Sequence, residues 1–258
     1  MLPWFEFTTV HIGPIPIQVW GFFVAFGMIL SILIINQDAK RRAIPAEPLL
    51  DLAVKMILYG VIGARIFHIV FYEPAYFIAH PAEVIAIWHG GLSSFGGLVG
   101  AMLAFVLALK KKKIQKQFLF VYANIISYGA LFGWIVGRIG CLMIHDHLGK
   151  ESTCPLAFDS PQGHRLDLAL LEILGLLPLA IVFLILKKKK KQDIFAPLLF
   201  VYYGVLRFIL DFWRAEPTLA TGDVRYLGLT PAQYFAILLV VFGVFLFRKK
   251  RIEKRRGD

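Results

Sequence analysis

The sequence is poor in charge. Of its 258 residues only 17% are charged, where a soluble domain carries about 25%. That shortage excludes a water-soluble globule. Disorder is excluded as well, because disordered chains are rich in charge and poor in apolar side chains, and 58% of this chain is hydrophobic. Cysteine is scarcer still: Cys141 and Cys154 alone cannot build a disulfide framework or a four-cysteine zinc site. Lys and Arg are missing altogether from residues 1–16 and 73–90. What the chain has instead is 23 Phe, 9 Tyr and 5 Trp, with a mean hydropathy of +0.69. This is the composition of a membrane protein.

A membrane-spanning helix needs about 20 mostly apolar residues. Seven such runs occur, at roughly 17–36, 50–72, 91–109, 117–136, 167–186, 194–212 and 230–247. The first lacks a basic segment before it and a small-residue cleavage site after it, so it reads as a retained span rather than a signal peptide. The reading is an all-α polytopic membrane protein with seven transmembrane helices, forming a single integral membrane domain over residues 1–258. Orientation follows from the cations. The net charge of +11 is concentrated in four clusters on alternate sides of the spans: Lys40 to Arg42, Lys110 to Lys116, Lys187 to Lys191, and Arg248 to Arg256. Placing them inside puts the N-terminus outside, residues 137–166 in an extracytoplasmic loop and residues 248–258 in a basic cytoplasmic tail. These clusters are orientation signals and contacts for anionic membrane lipids, which leaves no case for nucleic acid as a partner.

Eight cations lie outside those clusters. Arg65 and Arg207 fall inside apolar runs and Arg138 ends one, where an ionised side chain costs about 2.5–3.5 kcal/mol. Such groups need partners. Arg207 and Asp211 are four residues apart and share a helix face, with Arg214 one turn further on. Glu172 lies inside the fifth run and Asp167 opens it. An arginine and carboxylate cluster in the outer half of the spans suits a phosphate-bearing lipid headgroup. The competing reading is internal ion pairing that holds helices in register.

Glycine patterning gives two further expectations. Gly129, Gly133 and Gly137 repeat every four residues, a spacing for close helix packing. The run GGLSSFGGLVG from Gly90 to Gly100 is expected either to wall a site, through Gly96 and Gly97, or to form a tight packing seam. In the stretch GRIGCLMIHDHLG, residues 137–149, the set Cys141, His145, His147 and Cys154 matches no zinc spacing template. A Cys141–Cys154 disulfide is an alternative on the oxidising side of a membrane. His145, Asp146 and His147 also offer general bases near neutral pH.

The order of several short motifs resembles the prolipoprotein diacylglyceryl transferase family through almost the whole chain. They are Trp20-Gly21, Gly63-Ala64-Arg65-Ile66, Phe71-Tyr72, the GGLSSFGGLVG run, Gly137-Arg138-Ile139-Gly140, the stretch from Arg207 to Arg214, and Leu229-Thr230-Pro231-Ala232-Gln233. The resemblance implies a lipid transferase of the plasma membrane, with seven spans and the N-terminus outside. Such an enzyme moves the diacylglyceryl group of phosphatidylglycerol onto the lipobox cysteine thiol of a preprolipoprotein, and glycerol 1-phosphate leaves. It also implies no metal and no cofactor. Arg138 and Arg207 would grip the phosphate. Glu172 and Asp211 would orient the arginines or the glycerol hydroxyls, with Arg65 and Arg214 in the same substrate-binding set. Gly149 would shape the signature loop, and Asp146 occupies the place of the family's loop glutamate.

The chain departs from the family where a proton must be removed. Phe95 stands where the family has a histidine, Cys141 and Ile144 where it has asparagines, Asn124 where aspartate is common and Trp20 where tyrosine is common. Either the base has moved, to His145, His147, His68 or His89, or the protein binds lipid or lipoprotein without this catalysis. A small-solute transporter fits less well, since the two halves of the chain do not repeat one another.

Overall fold

Each long apolar run folds as a helix, because a helix satisfies its own backbone hydrogen bonds where no water is present to do so. The computed structural model describes residues 1–13, 15–71, 73–87, 91–110, 119–215 and 225–257. Tyr72, His89, Gly90 and Lys111 to Lys116 therefore lie outside the described residues, as does the side chain of Phe95. The helices are α1 (Val19–Arg41), α2 (Ala46–Phe71), the short α3 (Pro74–Ala79), α4 (Ser94–Lys110), α5 (Leu119–Ile144), α6 (Leu168–Lys188), α7 (Phe195–Leu210) and α8 (Pro231–Gly257). Among the described residues six helical segments are long and apolar enough to cross a membrane, α7 reaching that length by continuing through the 3-10 turn Asp211–Trp213. The third expected span, α4, has 17 residues, a rise of about 25 Å against a hydrocarbon core of about 30 Å. The outward faces are apolar: Ile181 is 57% exposed, Leu238 63% and Val241 61%. Faces of that kind belong against lipid.

Two small sheets accompany the helices, outside what an all-α reading anticipates. Strands β1 (Thr9–Ile12) and β2 (Ile15–Gln18) pair antiparallel ahead of α1. In the signature loop β3 (Leu148–Glu151), β4 (Phe158–Ser160) and β5 (Gly163–Asp167) form an antiparallel sheet in the order β3-β5-β4. Strand β5 leads directly into α6, and Asp167 caps that helix by accepting from Ala169 N at 2.7 Å and Leu170 N at 3.0 Å.

The chain divides into two compact units, residues 1–31 with 123–258, and residues 32–122. In the larger unit, Gly133 of α5 packs against Gly27 of α1, and Ser31 Oγ donates to Gly27 O at 2.9 Å and Gly129 O at 3.1 Å. Absent side chains are what bring these backbones together, as the four-residue glycine repeat anticipates. Asn124 of α5 accepts from Ala196 N at 2.9 Å, supplying the first turn of α7 with an acceptor that Ile194 lacks. Phe183 and Phe195 stack at 4.3 Å in the core. The last span opens with a capping box: Thr230 accepts from Gln233 N at 3.2 Å, Gln233 Oε1 accepts from Thr230 N at 3.0 Å, and Pro231 takes the first helical position.

In the smaller unit α2 and α4 pack along their glycines. Gly96 faces Gly63 and Phe67, and Gly97 faces Gly60. Of the two expectations for the glycine-rich run, the packing seam is the one the structure builds. A side chain at Gly96 would strike Gly63 O at 2.4 Å and Phe67 Cβ at 2.4 Å, so the seam itself requires this glycine.

Candidate active site

The larger unit assembles its buried charges around one carboxylate. Glu172 of α6 is 1% exposed. Its Oε1 accepts from Arg138 Nε of α5 at 2.9 Å, from Trp134 Nε1 at 2.8 Å and from Tyr203 OH of α7 at 3.1 Å. Its Oε2 accepts from Arg207 Nη1 of α7 at 3.2 Å. Four donors from two neighbouring helices repay the cost of burying the charge. Arg138 also lies over the Trp134 ring, 5.4 Å from its centroid.

A second carboxylate extends the cluster. Asp211 is fully buried, with Arg207 Nη2 at 3.1 Å and Arg214 Nε at 3.7 Å from its Oδ1, while Thr230 Oγ1 donates to its Oδ2. Three guanidiniums thus meet two carboxylates, and the internal ion pairing expected as the competing reading is what joins α5, α6 and α7 here. Gly149 pairs with Arg214 as an isolated β-bridge, which ties the signature loop to this cluster. A side chain at Gly149 would strike Trp213 O at 2.6 Å.

The end of α5 brings a third group of side chains to Arg138. Its Nη1 lies 3.6 Å from Cys141 Sγ. Cys141 Sγ, a carboxylate oxygen of Asp146 and a ring nitrogen of His147 lie within 4.8 Å of one another. Burial pushes the Asp146 carboxyl up to about 6 against the opposing pull of Arg138. Burial, reinforced by Arg138, Arg214 and Arg207, holds the His147 imidazole well below the usual histidine range, so that it is neutral at pH 7.

His145 goes elsewhere. It takes a left-handed backbone conformation, φ +49°, that reverses the chain at the end of α5. Its ring stacks on Trp4 at 4.1 Å, contacts Phe5 and Phe158, and Nδ1 lies 2.7 Å from Asp167 Oδ2. The four-residue set Cys141, His145, His147 and Cys154 does not assemble, and both cysteines are free thiols, so the disulfide alternative falls too. The reversal at His145 is what separates it from its neighbours.

The family model for prolipoprotein diacylglyceryl transferase matches residues 8–248. The chain belongs to this family. It is 27% identical to the phosphatidylglycerol–prolipoprotein diacylglyceryl transferase of Staphylococcus saprophyticus, over 94% of this chain and 88% of that protein. It is 27% identical to the protein of the same name from Azoarcus sp., covering 99% and 98%, and 28% identical to that from Lactococcus lactis subsp. cremoris, covering 95% and 94%. The protein is a multi-pass membrane transferase.

Within this transferase, Arg138, Arg207, Glu172, Asp211 and Arg214 come together as the sequence expects. Arg65 belongs to the smaller unit. Its guanidinium donates to the carbonyls of Val84 (3.0 Å), Gly91 (2.9 Å), Ala86 (3.3 Å) and Glu83, and lies over the Phe77 ring. Those contacts hold the segment between α3 and α4 rather than offer a free fork to a headgroup. Trp134 and Tyr203 were not among the expected site residues. Each precedes a site arginine by four positions, which places both on the arginine's own helix face, and that spacing was the available signal.

Proposed function

We propose that this chain transfers the diacylglyceryl group of phosphatidylglycerol to the lipobox cysteine thiol of preprolipoproteins, at the outer leaflet of the plasma membrane. The observation that carries the reading is the pair of arginines, Arg138 and Arg207, joined through Glu172 in a member of this family. The spans number seven, with α4 as the short one, and the N-terminus lies outside, in keeping with the alternation of the basic clusters. The arginine cluster is then on the outer side.

In this reaction the thiol sulfur attacks the glycerol carbon that carries the phosphate. A C–S bond forms, the C–O bond breaks, and the electron pair leaves with glycerol 1-phosphate. Arg138 and Arg207 hold the phosphate as its charge grows, with Arg214 adding to the local field. Glu172 and Asp211 fix the guanidiniums in place. Cys141, Asp146 and His147, beside Arg138, stand where the incoming thiol loses its proton. His145 serves as a positioning residue, its ring packed and tied to Asp167. Gly149 keeps the loop within reach of Arg214, and Arg65, Gly96 and Gly97 maintain the smaller unit.

Complementation tests this. The chain is expressed in cells depleted of their own transferase, and lipobox peptides are followed by mass spectrometry. A diacylglyceryl adduct on the lipobox cysteine is expected. Correct membrane insertion with no adduct on any lipobox peptide would favour the second reading, lipid or lipoprotein binding without catalysis, which the phenylalanine at position 95 motivates.

A further inference from the structure

A phospholipid donor comes from the bilayer, so some side chain must stand between the lipid and the arginines that meet its headgroup. Arg138 and Arg207 are themselves nearly covered, with side chains 12% and 11% exposed. Glu172, which joins them, is buried. Trp134, one turn before Arg138 on α5, differs. It is 45% exposed, on a helix long and apolar enough to cross a membrane, so much of its ring faces out of the fold. Its N–H nevertheless points inward and donates to Glu172 Oε1 at 2.8 Å. An indole suits such a place, because its body is apolar and one end is polar.

Two contacts distinguish this residue from an ordinary lipid-facing side chain. The Arg138 guanidinium lies over its ring, 5.4 Å from the centroid, and Tyr203 meets the ring edge-on at 5.6 Å. Trp134 therefore touches both members of the Arg138–Glu172 pair, the cation through its face and the carboxylate through its N–H. Glu172 does not need that N–H to be satisfied. Its Oε1 already accepts from Arg138 Nε at 2.9 Å and Tyr203 OH at 3.1 Å, and one carboxylate oxygen offers two lone pairs. What the indole adds is direction: Arg138 reaches Glu172 through Nε, and a ring against the guanidinium fixes the plane in which its other nitrogens extend. Packing alone does not call for tryptophan, because a residue with nearly half its surface outside the fold fills little core.

We propose that Trp134 receives the phosphatidylglycerol donor at the membrane side of the arginine pair. Its exposed face takes the glycerol and first acyl carbons, while its N–H and ring hold Arg138 in the plane that meets the phosphate. This rests on the proposed function for the identity of the donor. Charge agrees with an anionic lipid, since the cationic fork of Arg138 lies directly against the ring. Trp134 is thus a positioning residue towards the chemistry, acting through Arg138, and a contact residue towards the lipid.

The test compares Trp134→Phe and Trp134→Leu with the wild-type full chain, in mixed micelles of phosphatidylglycerol with a lipobox peptide. Phenylalanine keeps a ring and removes the N–H. It should leave KM for phosphatidylglycerol near wild type and lower kcat about 10-fold, the worth of one hydrogen bond to a charged group. Leucine removes both. It should lower kcat and raise KM for phosphatidylglycerol several-fold, with KM for the peptide unchanged. A general loss of structure does not give that split, since it lowers the active fraction and leaves both KM values alone. Binding is read separately. The fluorescence lost between wild type and Trp134→Phe isolates this residue from among the five tryptophans. Phosphatidylglycerol brominated on its acyl chains should quench it at a several-fold lower mole fraction than brominated phosphatidylcholine. Equal quenching by the two lipids would show annular lipid only and overturn the proposal. So would wild-type kcat in Trp134→Phe, wild-type KM in Trp134→Leu, or equal rises in both KM values. The two readings fail separately. Transfer by the wild-type chain with any of those results removes the role of Trp134 and leaves the transferase standing. Selective quenching in a chain that makes no adduct removes the transferase and leaves the lipid contact standing.

Discussion

Arg138 meets Glu172 through Nε, at 2.9 Å, while its Nη1 faces Cys141 Sγ at 3.6 Å. One guanidinium therefore touches both halves of the site, the carboxylate that anchors the anion-binding arginines and the thiol at the end of the helix. A lysine cannot do this, since its ammonium is a single point with no planar fork.

Arg138→Ala, Arg138→Lys and Arg207→Ala should each reduce transfer about 100-fold or more, the size of effect seen when one group that stabilises developing negative charge is removed. Initial rates of adduct formation on a lipobox peptide measure this. Phe95→Ala should keep its activity. Full activity after loss of both arginines would show that the phosphate is held elsewhere.

Glu172→Gln should lower stability more than any of the arginine variants, by about 3–5 kcal/mol, because it leaves two buried guanidiniums without their shared counter-charge. Thermal unfolding in detergent reports the difference. A melting temperature within one or two degrees of wild type would mean that Arg138 and Arg207 find other partners.

His145→Ala and His147→Ala should behave differently. Removing His145 empties a box formed by Trp4, Phe5 and Phe158 and releases Asp167, so stability should fall. Removing His147 should leave stability near wild type and abolish transfer. Parallel melting curves and rates separate the two, and a wild-type rate in the double variant would exclude both residues from thiol activation.

Gly133 and Gly137 lie on one stripe, yet alanine should be tolerated at only one of them. At Gly133 a methyl group meets Ser31 Oγ and Gly27 O, and overpacking of this kind costs about 1–3 kcal/mol. At Gly137 nothing lies within 4 Å of the added carbon. Equal melting temperatures for Gly133→Ala and Gly137→Ala would refute the packing of α1 on α5 described above.

Much of the fold was legible because hydropathy is a property of contiguous residues. Val19–Arg41 and Leu168–Lys188 announce themselves by length and composition alone. Strands β3 to β5 did not, since three to five residues in a polar loop carry too little alternation to read. The site arginines were legible for a similar reason: a cation within an apolar run is conspicuous wherever it stands. Arg65 shows the limit of that signal. It is as conspicuous as Arg207, but its guanidinium is spent on the carbonyls of Glu83, Val84, Ala86 and Gly91, a choice of partner made by the turn between α3 and α4.

By itself, then, the sequence determined that this shortage of charge meant a membrane, and that Arg138, Arg207, Glu172 and Asp211 were the charges to explain. Only the tertiary structure decided how they are joined. The Arg138 and Glu172 side chains are 34 residues apart and Arg207 and Glu172 are 35 apart, distances over which no periodicity speaks. It also decided which loop residues meet. One left-handed residue, His145, turns its own ring into an aromatic box and leaves Asp146 and His147 beside Cys141. A single backbone angle sets that outcome, and composition does not encode it.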